Sequence, residues 1–223
     1  MTASAATPTR TLTIPGPAGT LEALLDEPAT ESSPEAVAVV CHPHPLYGGT
    51  MTNKVVYSLA KAFNEAGAAA VRFNYRGVGA STGTYDDGNG ETDDALAVLE
   101  WAAQRWPGAK LCLGGFSFGG AVAIRAAAAR EVTRLVTIAP AIRKITVDEG
   151  SLPQCPWLIV QGDRDELVDP NDIQQWAQGL SRKSSQPPRL VVLPGVEHFF
   201  HGRLNDLRQA VARWLIELAQ LGR

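Results

Sequence analysis

Ser117 stands at the centre of Gly114-Gly115-Phe116-Ser117-Phe118-Gly119-Gly120, where the apolar run Lys110 to Gly115 gives way to the Ala-rich stretch Gly119 to Arg130. Gly-x-Ser-x-Gly alone is a weak signal, because three fixed residues recur readily by chance. Its setting makes it stronger. A strand that feeds a helix through so tight a turn forces the central residue into a strained backbone, and only glycine at the flanks avoids collisions. Such a turn lifts the hydroxyl clear of a sheet and sets it at a helix start. The competing readings are an idle serine in a Gly-rich turn and a phosphate-cradling loop. The second is disfavoured, since neither the Walker pattern nor GxGxxG is present. The chemistry on offer is nucleophilic attack by Ser117, which needs a general base and a partner to orient that base.

Four histidines are available: His42, His44, His198 and His201. His198 follows the apolar run Arg189 to Leu193 through Pro194-Gly195-Val196-Glu197, which predicts a place at the same edge of the sheet as Ser117. His201 reads as a surface or helix-start residue. The acid is sought in Gly162-Asp163-Arg164-Asp165-Glu166-Leu167-Val168-Asp169-Pro170. Asp169, before Pro170, reads as a helix N-cap. Between Asp163, nearest the strand end, and Asp165, at the middle of the loop, spacing does not decide. His42-x-His44 invites a metal reading, but zinc needs a third ligand and no companion motif follows. His42 reads instead as a buried, hydrogen-bonded brace. Arg76 to Gly79 is expected as a turn beneath the site, with Glu91 an exposed carboxylate ahead of a helix.

These residues need a frame. Thr11 to Ile14 and Leu21 to Leu25 predict a hairpin around Pro-Gly-Pro-Ala-Gly. Further strands are predicted at 36–41, 68–74, 110–115, 134–139, 157–161 and 189–193. Helices are predicted at 52–66, 92–105, 119–130, 170–180 and 204–221. The alternation implies an α/β fold with a mostly parallel central sheet, an N-terminal antiparallel hairpin and helices on both faces. Such sheets bind ligands at the carboxyl ends of their strands, where the loops carrying Ser117, Asp165 and His198 would lie.

With 223 residues, the chain is expected to form a single domain over 1–223, with 1–9 a flexible tail. Hydrophobic residues at 45% and charged residues at 19% exclude a disordered chain. The net charge of −3, without a Lys/Arg-rich run, argues against nucleic-acid or anionic-membrane partners. No apolar run approaches the roughly 20 residues of a membrane span. No secretory signal is visible in Met1 to Arg10. The odd count of three cysteines, Cys41, Cys112 and Cys155, suits reduced thiols in a cytoplasm.

The chain resembles the small α/β serine hydrolases of bacteria, and in particular a lidless subgroup. The motifs that carry the resemblance are Cys41-His-Pro-His-Pro45 with Gly48-Gly-Thr50, Arg72-Phe-Asn-Tyr-Arg-Gly-Val-Gly79 with Ser81-Thr-Gly83, and the Ser117 turn. Gly162-Asp-Arg-Asp-Glu-Leu-Val168 and Gly195-Val-Glu-His-Phe-Phe200 complete them, so the resemblance spans about residues 36 to 202. It implies the α/β-hydrolase fold with catalytic Ser117, Asp165 and His198, and it selects Asp165 over Asp163. The elbow itself implies an oxyanion donor at the Phe118 N–H. The family's His-Gly-x pattern implies a second at His44, with Leu46 the next candidate, although Pro43 stands where glycine is usual.

Only 17 residues, Pro140 to Pro156, separate two strands where larger relatives insert a lid, so no cap domain and an open site are expected. Leu46, Tyr47 and Phe199 are expected to bind substrate, with Phe118 and Phe200 nearby and Phe116 either there or in the core. The expected activity is hydrolysis of a carboxylic ester on a small acyl substrate, with no cofactor and no metal. Thioesters and peptides remain open, because such a triad does not choose its leaving group. So does a non-catalytic binding protein on the same fold.

Overall fold

The computed structural model describes residues 9–28, 33–145, 147, 151–183 and 186–221. Of the expected tail, residues 1–8 lie outside the described residues, and Thr9 already belongs to the first strand. β1 (Thr9–Gly16) and β2 (Gly19–Asp26) form the hairpin. Pairing runs from Thr9↔Asp26 to Gly16↔Gly19, longer at both ends than the apolar residues alone suggest.

β3 (Ala36–Cys41), α1 (Lys54–Glu65), β4 (Ala69–Phe73), α2 (Asn89–Arg105), β5 (Lys110–Phe116) and α3 (Phe118–Ala129) follow. β6 (Arg134–Ile138), β7 (Trp157–Gly162), α4 (Pro170–Lys183), β8 (Arg189–Leu193) and α5 (Leu204–Leu221) complete the chain. The sheet has eight strands in the order β1-β2-β4-β3-β5-β6-β7-β8. β1, β2 and β4 pair antiparallel, and β4 through β8 pair parallel.

β3 shows why its sequence is apolar throughout. Alternate side chains point to opposite faces: Val37, Val39 and Cys41 enter the core shared with α2, α3 and α4. Ala38 and Val40 enter the core shared with α1 and α5. From β3 the chain crosses to β4 on one side, while β5 lies on the other, so the order reverses between β3 and β5. The crevice at such a reversal is where open α/β sheets hold ligands. The loops after β3 and β5 carry His44 and Ser117.

Buried charges fix the frame near that crevice. Arg72 on β4 meets Asp26 on β2 through Nε–Oδ2 at 2.6 Å and Nη2–Oδ1 at 3.0 Å. Arg76 pairs with Asp94, Nη2 to Oδ1 at 2.8 Å. Glu91 is not the exposed carboxylate expected. It is fully buried, and its oxygens accept the N–H groups of Asp86 (3.0 Å) and Gly88 (2.8 Å). Reaching back over its own helix start satisfies donors that the helix leaves unpaired, which draws α2 three residues further toward the N-terminus than its apolar spacing implies.

Between β6 and β7 the described residues form turns and no helix or strand. No helix among the described residues is long and apolar enough to cross a membrane.

Candidate active site

Ser117 joins β5 to α3 with φ 56° and ψ −116°, a left-handed conformation that a side chain rarely tolerates. Its neighbours explain the glycines. A Cβ on Gly115 would lie 2.0 Å from the Gly119 carbonyl oxygen, and one on Gly119 would lie 2.4 Å from that of Cys41. The strained residue is held from both sides. Its N–H donates to the Ile138 carbonyl at 2.9 Å, and its own carbonyl accepts the N–H groups of Gly120, Ala121 and Ala141.

Ser117 Oγ lies 3.1 Å from His198 Nε2, and His198 Nδ1 lies 2.8 Å from Asp165 Oδ2. An ionised carboxylate can only accept, so Nδ1 carries the imidazole proton and Nε2 is free to accept from the serine hydroxyl. Asp165 and His198 are both buried. Asp165 Oδ1 accepts from Leu167 N at 2.9 Å and Val168 N at 2.8 Å. Burial alone would push this carboxyl up, but the His198 bond and charge, with those two N–H groups, hold it below its usual value.

Asp163 points elsewhere, accepting from Gly195 N at 2.6 Å and so closing the turn that presents His198. Asp169 accepts from Asn171 N at 2.9 Å at the start of α4. His201 is exposed and pairs with Glu197.

One buried polar residue at this site has no motif to announce it. Gln161, the penultimate residue of β7, donates from Nε2 to Asp165 Oδ2 at 3.0 Å. The same nitrogen lies 3.2 Å from the Val168 carbonyl oxygen and 3.3 Å from that of Gly162, while Oε1 has no partner among the described residues. The available signal was a lone polar side chain ending the run Trp157 to Val160, four residues before the acid.

The loop after β3 carries the other two histidines. His42 is buried; its Nδ1 donates to the Pro43 carbonyl at 2.7 Å, and its Nε2 accepts from Tyr75 N at 3.2 Å. Burial drives its pKa down to about 3. The His44 ring lies among Tyr47, Tyr85 and Phe118, with centroids 4.6, 5.2 and 4.8 Å away. The backbone N–H groups of His44 and Phe118 have no acceptor among the described residues. The Leu46 N–H is taken by His44 Nδ1 at 3.3 Å, so it is not available to an oxyanion. Among the described residues no group of three or more His, Cys, Asp or Glu could hold a metal ion.

Ser117 and His198 open on a cavity of about 330 Å³, also lined by His44, Tyr47, Phe118 and Phe199. Leu167, Val168 and Lys144 complete one wall. Leu46 does not line it; its side chain is 66% exposed, because the tight turn at Pro45–Tyr47 aims it at solvent. Phe116 and Phe200 are fully buried in the core, with Phe116 against the His198 ring at 4.9 Å.

A sheet of this order, with a serine on a strained strand-to-helix turn at its reversal point, defines an α/β-hydrolase. The comparisons agree. The family model Hydrolase_4, serine aminopeptidase S33, matches residues 32–148. XC6422 from Xanthomonas campestris, an α/β serine hydrolase without lid, is 43% identical with a TM-score of 0.83, over 92% of this chain and 92% of that one. An α/β serine hydrolase homologue from Coxiella burnetii is 42% identical with a TM-score of 0.82, over 92% and 96%. The uncharacterized protein RP471 of Rickettsia prowazekii is 36% identical over 210 residues, 91% of this chain and 87% of its own. The chain belongs to the Hydrolase_4 (S33) family, as a small lidless α/β-hydrolase.

Proposed function

We propose that this protein is a serine hydrolase that cleaves carboxylic esters through an acyl-enzyme, with Ser117 as nucleophile, His198 as general base and Asp165 as its orienting acid. The observation that carries the reading is the continuous hydrogen-bonded chain from Ser117 Oγ through His198 to Asp165 Oδ2, opening on one cavity. Ser117 Oγ attacks the acyl carbon while its proton passes to His198 Nε2. The carbonyl π electrons move onto oxygen, which takes hydrogen bonds from the N–H groups of Phe118 and His44. Collapse expels the alcohol, which leaves with the proton returned by His198. Water, deprotonated by the same nitrogen, then releases the acid and restores Ser117. Each oxyanion donor contributes about 3 kcal/mol to the transition state in such sites.

The family description names an aminopeptidase, an activity that must hold a substrate ammonium. The described lining of the cavity offers no carboxylate for that purpose and carries a lysine, which favours the ester reading. The three cysteines are free and buried, and burial pushes the Cys41 thiol up to about 12, which suits inert thiols in a cytoplasmic enzyme.

The test is labelling with a fluorophosphonate, read by intact mass and peptide mapping. A single adduct on Ser117, lost or greatly slowed in His198→Ala, is expected. No adduct on folded wild-type protein would overturn the reading in favour of a binding protein.

A further inference from the structure

The described walls of the reaction cavity hold one side chain of fixed charge, that of Lys144. Lys144 is exposed, and no carboxylate lies within ion-pair distance of it among the described residues. Its ammonium stands 5.9 Å from the centre of the Tyr47 ring, on the rim of the cavity that holds Ser117. Three of the four neighbouring carboxylates described on one side are already committed, and the exposed Glu166 lies beyond ion-pair distance of Lys144. Lys144 also borders a cavity of about 440 Å³ with Asp165, Glu166, Asp169 and Asp172 on its described walls. Asp165 is held by His198, Asp172 is paired with Arg143, and Asp169 accepts from Asn171 N.

On another side, Lys144 borders a larger cavity of about 550 Å³, into which Arg125 also faces. The Arg125 Nη2 donates to Asn89 Oδ1 at 2.8 Å, and Asp87 is the one carboxylate on the described walls. The reaction cavity and this larger one share only Lys144 among their described residues. The positive end of α3, at Phe118, adds to the field inside the reaction cavity. The His44 pKa is lowered by burial and then by the Lys144 charge, with the Asp87 carboxylate pulling the other way.

We infer that the substrate carries an anionic group, a carboxylate or phosphate beyond the scissile carbonyl, and that Lys144 recognises it at the junction of the two cavities. The inference rests on the serine-hydrolase reading above and adds the substrate class. A neutral ester would leave the ammonium unmatched among the described residues, while an aminopeptide would be repelled by it. An anion placed in the acyl chain and one placed in the leaving group are chemically alike at this position, and the substrates tested separate them.

The test compares kcat/KM within two matched pairs at low ionic strength. Mono-4-nitrophenyl adipate against 4-nitrophenyl hexanoate varies the charge on the acyl chain. Hexanoyl-coenzyme A against hexanoyl-N-acetylcysteamine varies it on the leaving group. In at least one pair the anionic member is expected to be better by about 5-fold, through KM, with the advantage fading as salt is added. Lys144→Met should bring that ratio to about 1, and Lys144→Glu should take it below 1. Both variants sit on an exposed side chain, and circular dichroism checks that they fold.

Preference in the adipate pair assigns the anion to the acyl chain, and preference in the coenzyme A pair assigns it to the leaving group. Ratios at or below 1 in both pairs, or a ratio that survives Lys144→Met, would overturn the inference while Ser117-dependent turnover of the neutral members keeps the hydrolase reading. Absence of turnover on all four substrates would also overturn it. If the fluorophosphonate adduct is missing as well, the hydrolase reading falls with it.

Discussion

His42 and His198 both follow a parallel strand at its carboxyl end, and both are buried with each ring nitrogen hydrogen-bonded. They differ in what their partners are made of. His42 lies between a carbonyl and an N–H of the backbone, which fix its tautomer, while burial drives its pKa down to about 3 against the opposing pull of the Pro43 carbonyl. His198 lies between a carboxylate and a hydroxyl, both on side chains, and the carboxylate can balance a proton arriving on the far nitrogen. The same residue type, equally buried, is a brace in one loop and, in the proposed mechanism, the base in the other. What decides is whether a negative charge stands behind the ring and a reacting group in front of it.

The largest expected effect removes the group in front. Ser117→Ala should lower kcat on the order of 10⁶-fold with the fold intact, as seen when a triad nucleophile is lost. Retention of wild-type ester turnover would place the chemistry elsewhere. Next comes the charge behind. Asp165→Asn makes the surroundings of His198 resemble those of His42, with neutral partners only, and should cost on the order of 10⁴-fold in kcat. A loss below 10-fold, measured on the same ester, would mean that charge is not what separates the two histidines.

His42 yields a stability effect instead. Its pKa lies below that of the unfolded chain, so between about 6.5 and about 3 the unfolded chain binds a proton that the folded one refuses. The stabilisation is therefore complete above about pH 6.5 and shrinks as pH falls, by about 3 kcal/mol from pH 7 to pH 4. Urea unfolding across that range should show wild type losing more stability than His42→Gln, although the variant begins lower. Equal losses in the two proteins would mean that His42 is not the group refusing the proton.

The contrast between the histidines also marks what the sequence made legible. Unbroken apolar runs such as Ala36 to Cys41 could be read as strands because a strand covered on both faces has no polar side to show. The glycines around Ser117 could be read because hard-sphere collisions admit nothing larger. Asp163 and Asp165 could not be separated by spacing, since both leave the same strand end. What distinguishes them is aim, toward Gly195 N in one case and the His198 ring in the other. Glu91 looked like a solvent carboxylate because its partners are backbone N–H groups, which leave no trace in side-chain identity. Leu46 looked like substrate surface because the direction of a side chain on a tight turn depends on the turn. Gln161 was invisible for a related reason, being one amide at the end of an apolar strand.

That amide supports the smallest prediction. Asp165 Oδ2 is shared: His198 Nδ1 approaches it at 2.8 Å and Gln161 Nε2 at 3.0 Å. All three oxygens near the amide nitrogen are acceptors, so the amide cannot be turned around, and its own Oε1 is left without a partner among the described residues. An unsatisfied buried acceptor costs about 1–3 kcal/mol, so a residue kept in that state is better explained by its donor than by its packing. The donor fixes the carboxylate and withdraws part of its charge from the imidazole. Gln161→Leu removes donor and orphan together, leaving overall stability near wild type. It should lower kcat about 3- to 10-fold with little change in KM, since the carboxylate is less firmly aimed. With more charge left facing the ring, His198 should hold its proton more tightly, and the acid limb of the kcat/KM profile should move to higher pH. A variant that loses stability while its pH profile stays in place would reduce Gln161 to a filler of the core. A shifted limb on a stable protein would extend the comparison: what stands behind a catalytic histidine is a charge whose strength is set by its own second partner.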